Sequence, residues 1–222
     1  MLFLKLKLQC SNYASLSGAS WLKRQASDTW AKKAQEEGFR SRSSYKLLQI
    51  NQTQKIFPQR NGFVGVDLGC APGGWLIAAS KILEGKQNVK LIGVDLLDVE
   101  PMEQQTATVN IIKGDLMEQQ TVQSIEHLIG ATKTIDLLMS DISPNHSGQG
   151  DLHHLRSMHL VRRAFELATQ WQAQVFLCKV FNGAELGQFL QSVKAKYSKV
   201  NIVKPEASRK ESSELYIVAK QG

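Results

Sequence analysis

Short apolar runs recur between residues 61 and 222, and stretches with apolar residues at three- and four-residue spacing lie between them. A short apolar run bounded by Gly, Asn, Asp or Pro predicts a buried strand, and the wider spacing predicts a helix with one face turned to a core. Strands are therefore expected near residues 63–67, 90–95, 108–112, 135–140, 174–180, 199–203 and 214–219. Helices are expected near 73–84, 117–129, 153–170 and 184–195. Repeated alternation of this kind implies an α/β, doubly wound sheet, parallel at least in its first five strands. Ahead of it, Asp28 reads as the N-cap of a helix through Trp30 to Glu37 that Gly38 stops, and a second helix is expected at about 43–52. No internal repeat, linker or low-complexity tract divides the chain, so residues 21–222 are expected to form one domain, with a basic helical segment at about 21–60.

The first strand ends in an acid, and a glycine-rich turn follows: Val64-Gly65-Val66-Asp67-Leu68-Gly69-Cys70-Ala71-Pro72-Gly73-Gly74-Trp75. Strand, tight turn and helix build a nucleotide pocket at the carboxyl edge of an open sheet. Gly69, Gly73 and Gly74 leave room for a ligand beside the backbone. The dinucleotide pattern G-x-G-x-x-G is absent, and Asp67 would repel a pyrophosphate, so a dehydrogenase is disfavoured. An acid there suits a ligand with a cationic amino group, and S-adenosylmethionine carries one.

Other strand ends supply further candidates. Asp95 is placed for ribose hydroxyls, and Asp115, after Lys113-Gly114, for an adenine amino group, although either acid alone could cap a helix. Asp141, before the turn at Pro144, should lie beside the first strand, near the cofactor. Lys179 stands inside the apolar run Val175 to Phe181. Burying an unpaired ammonium is very costly, so Lys179 should face the cleft and find an acidic partner, for which Glu214 is a candidate.

The net charge of +7 is unevenly placed: residues 1–60 hold eleven Lys or Arg against three acids, and the remainder is nearly neutral. A basic segment beside a neutral domain points to nucleic-acid phosphates. Within it, Lys32, Lys33, Arg40 and Arg42, interleaved with Ser and Tyr45, are the expected RNA contacts. Residues 1–20 carry no acid, several serines and two lysines, which fits a mitochondrial presequence; a cytoplasmic bacterial enzyme is the alternative. Cys10, Cys70 and Cys178 are scattered without metal spacing and cannot all pair, which points to a reducing compartment. His153, His154 and His159 have no clustered acid or cysteine, so no metal is expected. No apolar run approaches the roughly 20 residues of a membrane helix.

These separated motifs together resemble the heat-shock ribosomal RNA methyltransferases of the RrmJ/FtsJ (RlmE) type and their mitochondrial relatives. The resemblance rests on Gly38-Phe39-Arg40-Ser41-Arg42 with Tyr45-Lys46-Leu47, the D-L-G-x-A-P-G-G-W block, Asp95-Leu96-Leu97, Gly114-Asp115, Ser140-Asp141 with Pro144-Asn145 and Ser147-Gly148, Lys179-Val180-Phe181, and Lys204-Pro205 through Glu214-x-Tyr216-Ile217-Val218. It implies a Rossmann-like, seven-stranded S-adenosylmethionine-dependent fold with helices on both faces, acting as a monomer on a ribose 2′-hydroxyl, that of a uridine, in large-subunit ribosomal RNA. It carries a catalytic tetrad onto Lys46, Asp141, Lys179 and Glu214, and cofactor contacts onto Gly73, Trp75, Asp95, Asp115 and Asp141. Asn182 and Cys70 depart from the family's usual Gln and Ala. Whether Lys179 is a general base or an orienting charge stays open, as do a transfer RNA or cap substrate and a non-catalytic role in ribosome assembly.

Overall fold

A computed structural model of the chain describes residues 28–102, 107–144 and 150–222. The expected presequence, Asn145, Ser147 and Gly148 lie outside the described residues. In chain order the elements are α1 (Thr29–Glu36), α2 (Ser43–Gln54), β1 (Phe63–Leu68), α3 (Gly74–Ile82), β2 (Val89–Asp95), β3 (Ala107–Lys113), α4 (Gln119–Ile129), β4 (Leu137–Ser140), α5 (Gly150–Gln170), β5 (Val175–Phe181), α6 (Leu186–Lys194), β6 (Lys199–Val203) and β7 (Glu214–Lys220). Every strand and helix expected from the periodicity forms. Strand β4 is shorter than expected at its start. There the Asp136 carboxylate accepts from Val64 N at 2.8 Å.

The sheet order is β3-β2-β1-β4-β5-β7-β6. Strands β1 to β5 are parallel, and β7 lies antiparallel between β5 and β6. Two consequences position the site. The order reverses between β1 and β4, so a crevice opens at their carboxyl ends. The reversed direction of β7 brings its first residue, Glu214, opposite Phe181 at the carboxyl end of β5, and Tyr216 opposite Lys179.

Alternation along the strands sorts the core into two layers. Val66, Leu138, Phe176, Cys178 and Ile217 pack with Val122, Ile125, Met158, Val161, Leu167 and Trp171 of α4 and α5 and their flanks. On the other face Leu91, Leu137, Met139, Leu177, Tyr216 and Val218 pack with Leu47, Ile50, Trp75, Leu76 and Ala78 of α2 and α3. Helices thus cover both faces, as parallel strands require. Lys179 shares its face with Leu177, so its side chain is directed toward α2, from which Lys46 descends.

Candidate active site

The turn after β1 is held by two bonds to β2: Gly69 N and Cys70 N donate to Val94 O at 2.8 and 3.1 Å. Gly69 adopts φ +77°, and a Cβ on it would lie 2.9 Å from Ile142, so the turn and the loop after β4 approach more closely than another residue permits. Gly73 adopts φ +101° at the start of α3. Gly74 corrects the sequence expectation: the space where its side chain would stand is filled by the Ser41 hydroxyl, and Ser44 Oγ donates to Gly74 O at 2.9 Å. Its bareness lets α2 seat on α3. Trp75 is likewise internal, 2% exposed, with its indole N–H donating to Ser43 O at 2.8 Å. Only its backbone, in the first turn of α3 where N–H groups lack helical acceptors, is left for a ligand.

Three carboxylates at the ends of β1, β2 and β3 have different partners. Asp95 Oδ2 accepts from Ala71 N and Oδ1 from Leu97 N, both at 2.9 Å. Asp115 Oδ1 accepts from Met117 N at 2.9 Å and closes a turn, while the N-cap position of α4 is Glu118; Asp115 is therefore not the cap. Asp67 is 1% exposed, and its Oδ2 has no hydrogen-bond partner. Burial, then the Asp141 and Asp95 charges, push its carboxyl well above the ordinary range. An acid buried beside two other acids lacks a cation, which is what a ligand ammonium would provide. The backbone-bare turn, the acid after β2 and this orphaned carboxylate fit S-adenosylmethionine.

At the neighbouring edge the chain builds an alternating set of charges. Lys46 Nζ lies 2.8 Å from Glu214 Oε1 and 4.0 Å from Asp141 Oδ2. Lys179 Nζ lies 3.3 Å from Asp141 Oδ1 and donates to Asp141 O at 2.6 Å. The two lysines are 8% and 6% exposed, so their ammonium groups are held by these acids rather than by bulk water. Burial alone would raise the Asp141 carboxyl, but the Lys179 and Lys46 ammonium groups and the Tyr216 hydroxyl outweigh it and hold Asp141 below the usual carboxylate range. All four predicted tetrad residues are thus brought together.

Tyr216 belongs to the same cluster, and sequence reasoning passed over it as part of an apolar strand. Its hydroxyl donates to Asp141 Oδ1 at 2.7 Å, its ring lies 5.6 Å from Lys46 Nζ, and the Trp75 ring is 6.0 Å away. Burial first, then Asp141 and Glu214, raise its phenol, so it remains a proton donor. The available signal was parity: Tyr216 is two residues from Glu214 and shares its face.

The basic segment departs from expectation. Arg40 donates to Pro72 O at 3.1 Å and to Glu100 O and Pro101 O at 2.6 Å each. Arg42 pairs with Asp28 and donates to Ala207 O. The Arg40 guanidinium is thus engaged by three loop carbonyls, and the Arg42 guanidinium by one carboxylate and one carbonyl. Lys33 is 3.8 Å from Glu37 and lies over the Tyr45 ring at 5.1 Å, and both it and Lys32 are exposed. Arg209 and Lys210, exposed in the turn before β7, are cations that the sequence reading left unassigned. Among the described residues no cluster of His, Cys, Asp or Glu could hold a metal ion. A polar depression of about 430 Å³ lined by Gln172, Gln174, Lys196 and Tyr197 lies at the amino end of β5, the edge opposite to these groups.

A crevice at the β1–β4 reversal that lacks a pyrophosphate cradle and awaits a cation is the arrangement of a Rossmann-like S-adenosylmethionine-dependent methyltransferase. Residues 39–222 match the FtsJ-like methyltransferase family, and the chain belongs to that family, whose cofactor is S-adenosylmethionine. It is 40% identical over 200 residues to the ribosomal RNA large subunit methyltransferase E of Haloarcula marismortui, covering 87% of this chain and 74% of that protein. It is 38% identical over 208 residues to the protein of that name from Dichelobacter nodosus, covering 93% and 95%. A solved ribosomal RNA methyltransferase from Plasmodium falciparum superposes with a TM-score of 0.71 at 24% identity, covering 82% of this chain and 98% of that one, which shows the shared fold.

The folded protein binds the Asp67 proton more tightly than the unfolded chain does, so stability falls as pH rises above the ordinary aspartate value of about 3.9. Asp67→Asn removes that slope. The cofactor-free variant should melt at or above the parent at neutral pH, yet bind S-adenosylmethionine at least about tenfold more weakly. Melting curves across pH 5–8, beside calorimetric affinities, check both halves; a lower melting point with unchanged affinity would contradict the assignment.

Proposed function

We propose that the protein transfers the methyl group of S-adenosylmethionine to a ribose 2′-hydroxyl, that of a uridine, in large-subunit ribosomal RNA. The carrying observation is the Lys46–Glu214 and Lys179–Asp141 pairing beside the cofactor turn. The names of the Haloarcula and Dichelobacter relatives support the RNA class. Gly69, Gly73, the Trp75 backbone, Asp95 and Asp115 would seat the cofactor, with Asp67 facing its cationic part. When bound, S-adenosylmethionine supplies an electrophilic methyl group on a sulfonium.

The chain's own groups must then align the hydroxyl, hold the ribose still and manage one proton. The Lys179 ammonium has three N–H donors, and Asp141 takes two of them through its carbonyl and carboxylate, which leaves one for the ribose oxygen. Directed there, it would offset negative charge on the oxygen as the oxygen–methyl bond forms and the methyl–sulfur bond breaks, and the hydroxyl proton would pass to solvent water. Asp141, kept ionised by Lys46, Lys179 and Tyr216, fixes the Lys179 direction. Lys46 and Glu214 neutralise each other and complete the floor on which the ribose and its phosphate sit. No step in this scheme calls for a metal. The binding surface for RNA is formed by Lys32 and Lys33 of α1 with Arg209 and Lys210, while Arg42 supports it by holding the loop before β7.

The acid-free start of the chain supports mitochondrial import, whereas bacterial relatives such as that of Rickettsia akari, aligned over 96% of this chain, favour the cytoplasmic alternative. A reporter fused to residues 1–27 decides between them: mitochondrial signal supports import, and diffuse signal rejects it.

Lys179→Ala should reduce single-turnover methyl transfer at least about a hundredfold while cofactor affinity and fold persist. Lys179→Arg should not restore it, because the bulkier guanidinium cannot reproduce a point donor. Transfer to ribosomal RNA near the parent rate in Lys179→Ala would sink the mechanism. Replacing Lys32, Arg209 and Lys210 together by Ala should weaken RNA binding and flatten its salt dependence by about one phosphate contact per effective charge. An unchanged slope would mean that these cations serve solubility only.

A further inference from the structure

Of the four cations expected to contact RNA, Arg40 is the one this scheme leaves unused. Its three hydrogen bonds join two segments distant in sequence: the cofactor turn through Pro72 O, and the loop after β2 through Glu100 O and Pro101 O. The contact is close-packed as well as polar. A Cβ on Gly73 would lie 3.1 Å from Arg40 Nη1, 3.3 Å from Val99 Cγ1 and 3.5 Å from Met102 Sδ, so this loop and the guanidinium lie directly on the turn. Asp95 stands at the root of the same loop and ties it to the turn a second time through Ala71 N and Leu97 N. Three carbonyls converging on one place require several N–H donors in a fixed plane, which a guanidinium has and an ammonium lacks. Charge-assisted bonds of this kind are among the stronger ones.

We propose that Arg40 is a latch on the cofactor pocket: it clasps the loop Val99 to Met102 onto the Pro72–Gly73 turn and so sets how long S-adenosylmethionine remains bound. It is a positioning residue for the cofactor and makes no phosphate contact. The inference rests on the turn being the cofactor's seat. With the clasp closed, the two walls flanking Asp95 are fixed relative to each other before the cofactor arrives; with it broken, only the Asp95 bonds hold them.

The test uses the full-length protein and three forms: parent, Arg40→Ala and Arg40→Lys. Cofactor dissociation is followed by stopped-flow chase with S-adenosylhomocysteine, beside KM for S-adenosylmethionine, kcat, RNA affinity at saturating cofactor, and melting temperature. Arg40→Ala should release cofactor about tenfold faster and raise its KM by a similar factor. Its kcat should fall by much less, and its RNA affinity should stay near the parent value. Arg40→Lys retains the charge and the stem, folds where Ala does not, and should still release cofactor quickly. Unchanged dissociation and KM in Arg40→Lys and Arg40→Ala would overturn the latch, as would a defect confined to RNA affinity, which is the phosphate-contact outcome. A parent protein that fails to bind S-adenosylmethionine would overturn the seat itself, and the latch with it.

Discussion

An ammonium cannot be left unpaired inside an apolar strand, and the carboxyl edge of this sheet is arranged around that constraint. Lys179 sits buried in β5, on the face it shares with Leu177 and opposite Tyr216 of β7. Its charge is matched by Asp141, just after β4, rather than by Glu214; Asp141 also faces Lys46 of α2, and Lys46 in turn pairs with Glu214 at the start of β7. Removing any one member leaves a neighbouring charge without its partner, which costs more than the pair contributes when intact. The network is therefore better understood as a device for holding polar groups in one geometry than as a source of stability.

The antiparallel insertion of β7 makes this arrangement possible. A parallel strand in that place would present its carboxyl end at this edge, and Glu214, the first residue of the strand, would lie at the opposite edge of the sheet. The register Phe181–Glu214 and Lys179–Tyr216 follows from the reversal, and with it the Tyr216 hydroxyl reaches Asp141. The cofactor side is deliberately incomplete by contrast. Asp95 and Asp141 have donors of their own, whereas Asp67 retains an oxygen with none, so the crevice keeps one carboxyl oxygen unpartnered. Two adjacent parts of the carboxyl edge thus differ in electrostatic state: in one the lysines and acids pair with each other, and in the other the Asp67 carboxyl keeps an oxygen without a partner.

The segment Phe39 to Arg42 links both pockets. Arg40 reaches toward the glycine turn and the loop after β2, and Arg42 reaches toward Ala207 in the loop before β7. Ser41 and Ser44 meanwhile fit against the bare Gly74. A stretch whose composition resembles a phosphate-binding surface is thus largely consumed in joining loops, while Lys32, Lys33, Arg209 and Lys210 stay exposed.

What the sequence by itself determined was local: the strands and helices, whose periodicity depends only on near neighbours, the glycine turn after β1, and the residue types that are costly to bury. A lysine in an apolar run and an acid before a glycine turn announce themselves because desolvation is costly wherever the chain folds. The tertiary structure decided everything that depends on which distant segments meet. It assigned Gly74 and the Trp75 ring to the α2–α3 contact, tied Arg40 and Arg42 to neighbouring loops and excluded Asp115 as a helix cap. It also placed Tyr216 within reach of Asp141. Hydrogen-bond partners are chosen by strand order and loop packing, and neither leaves a mark on the spacing of residues along one chain.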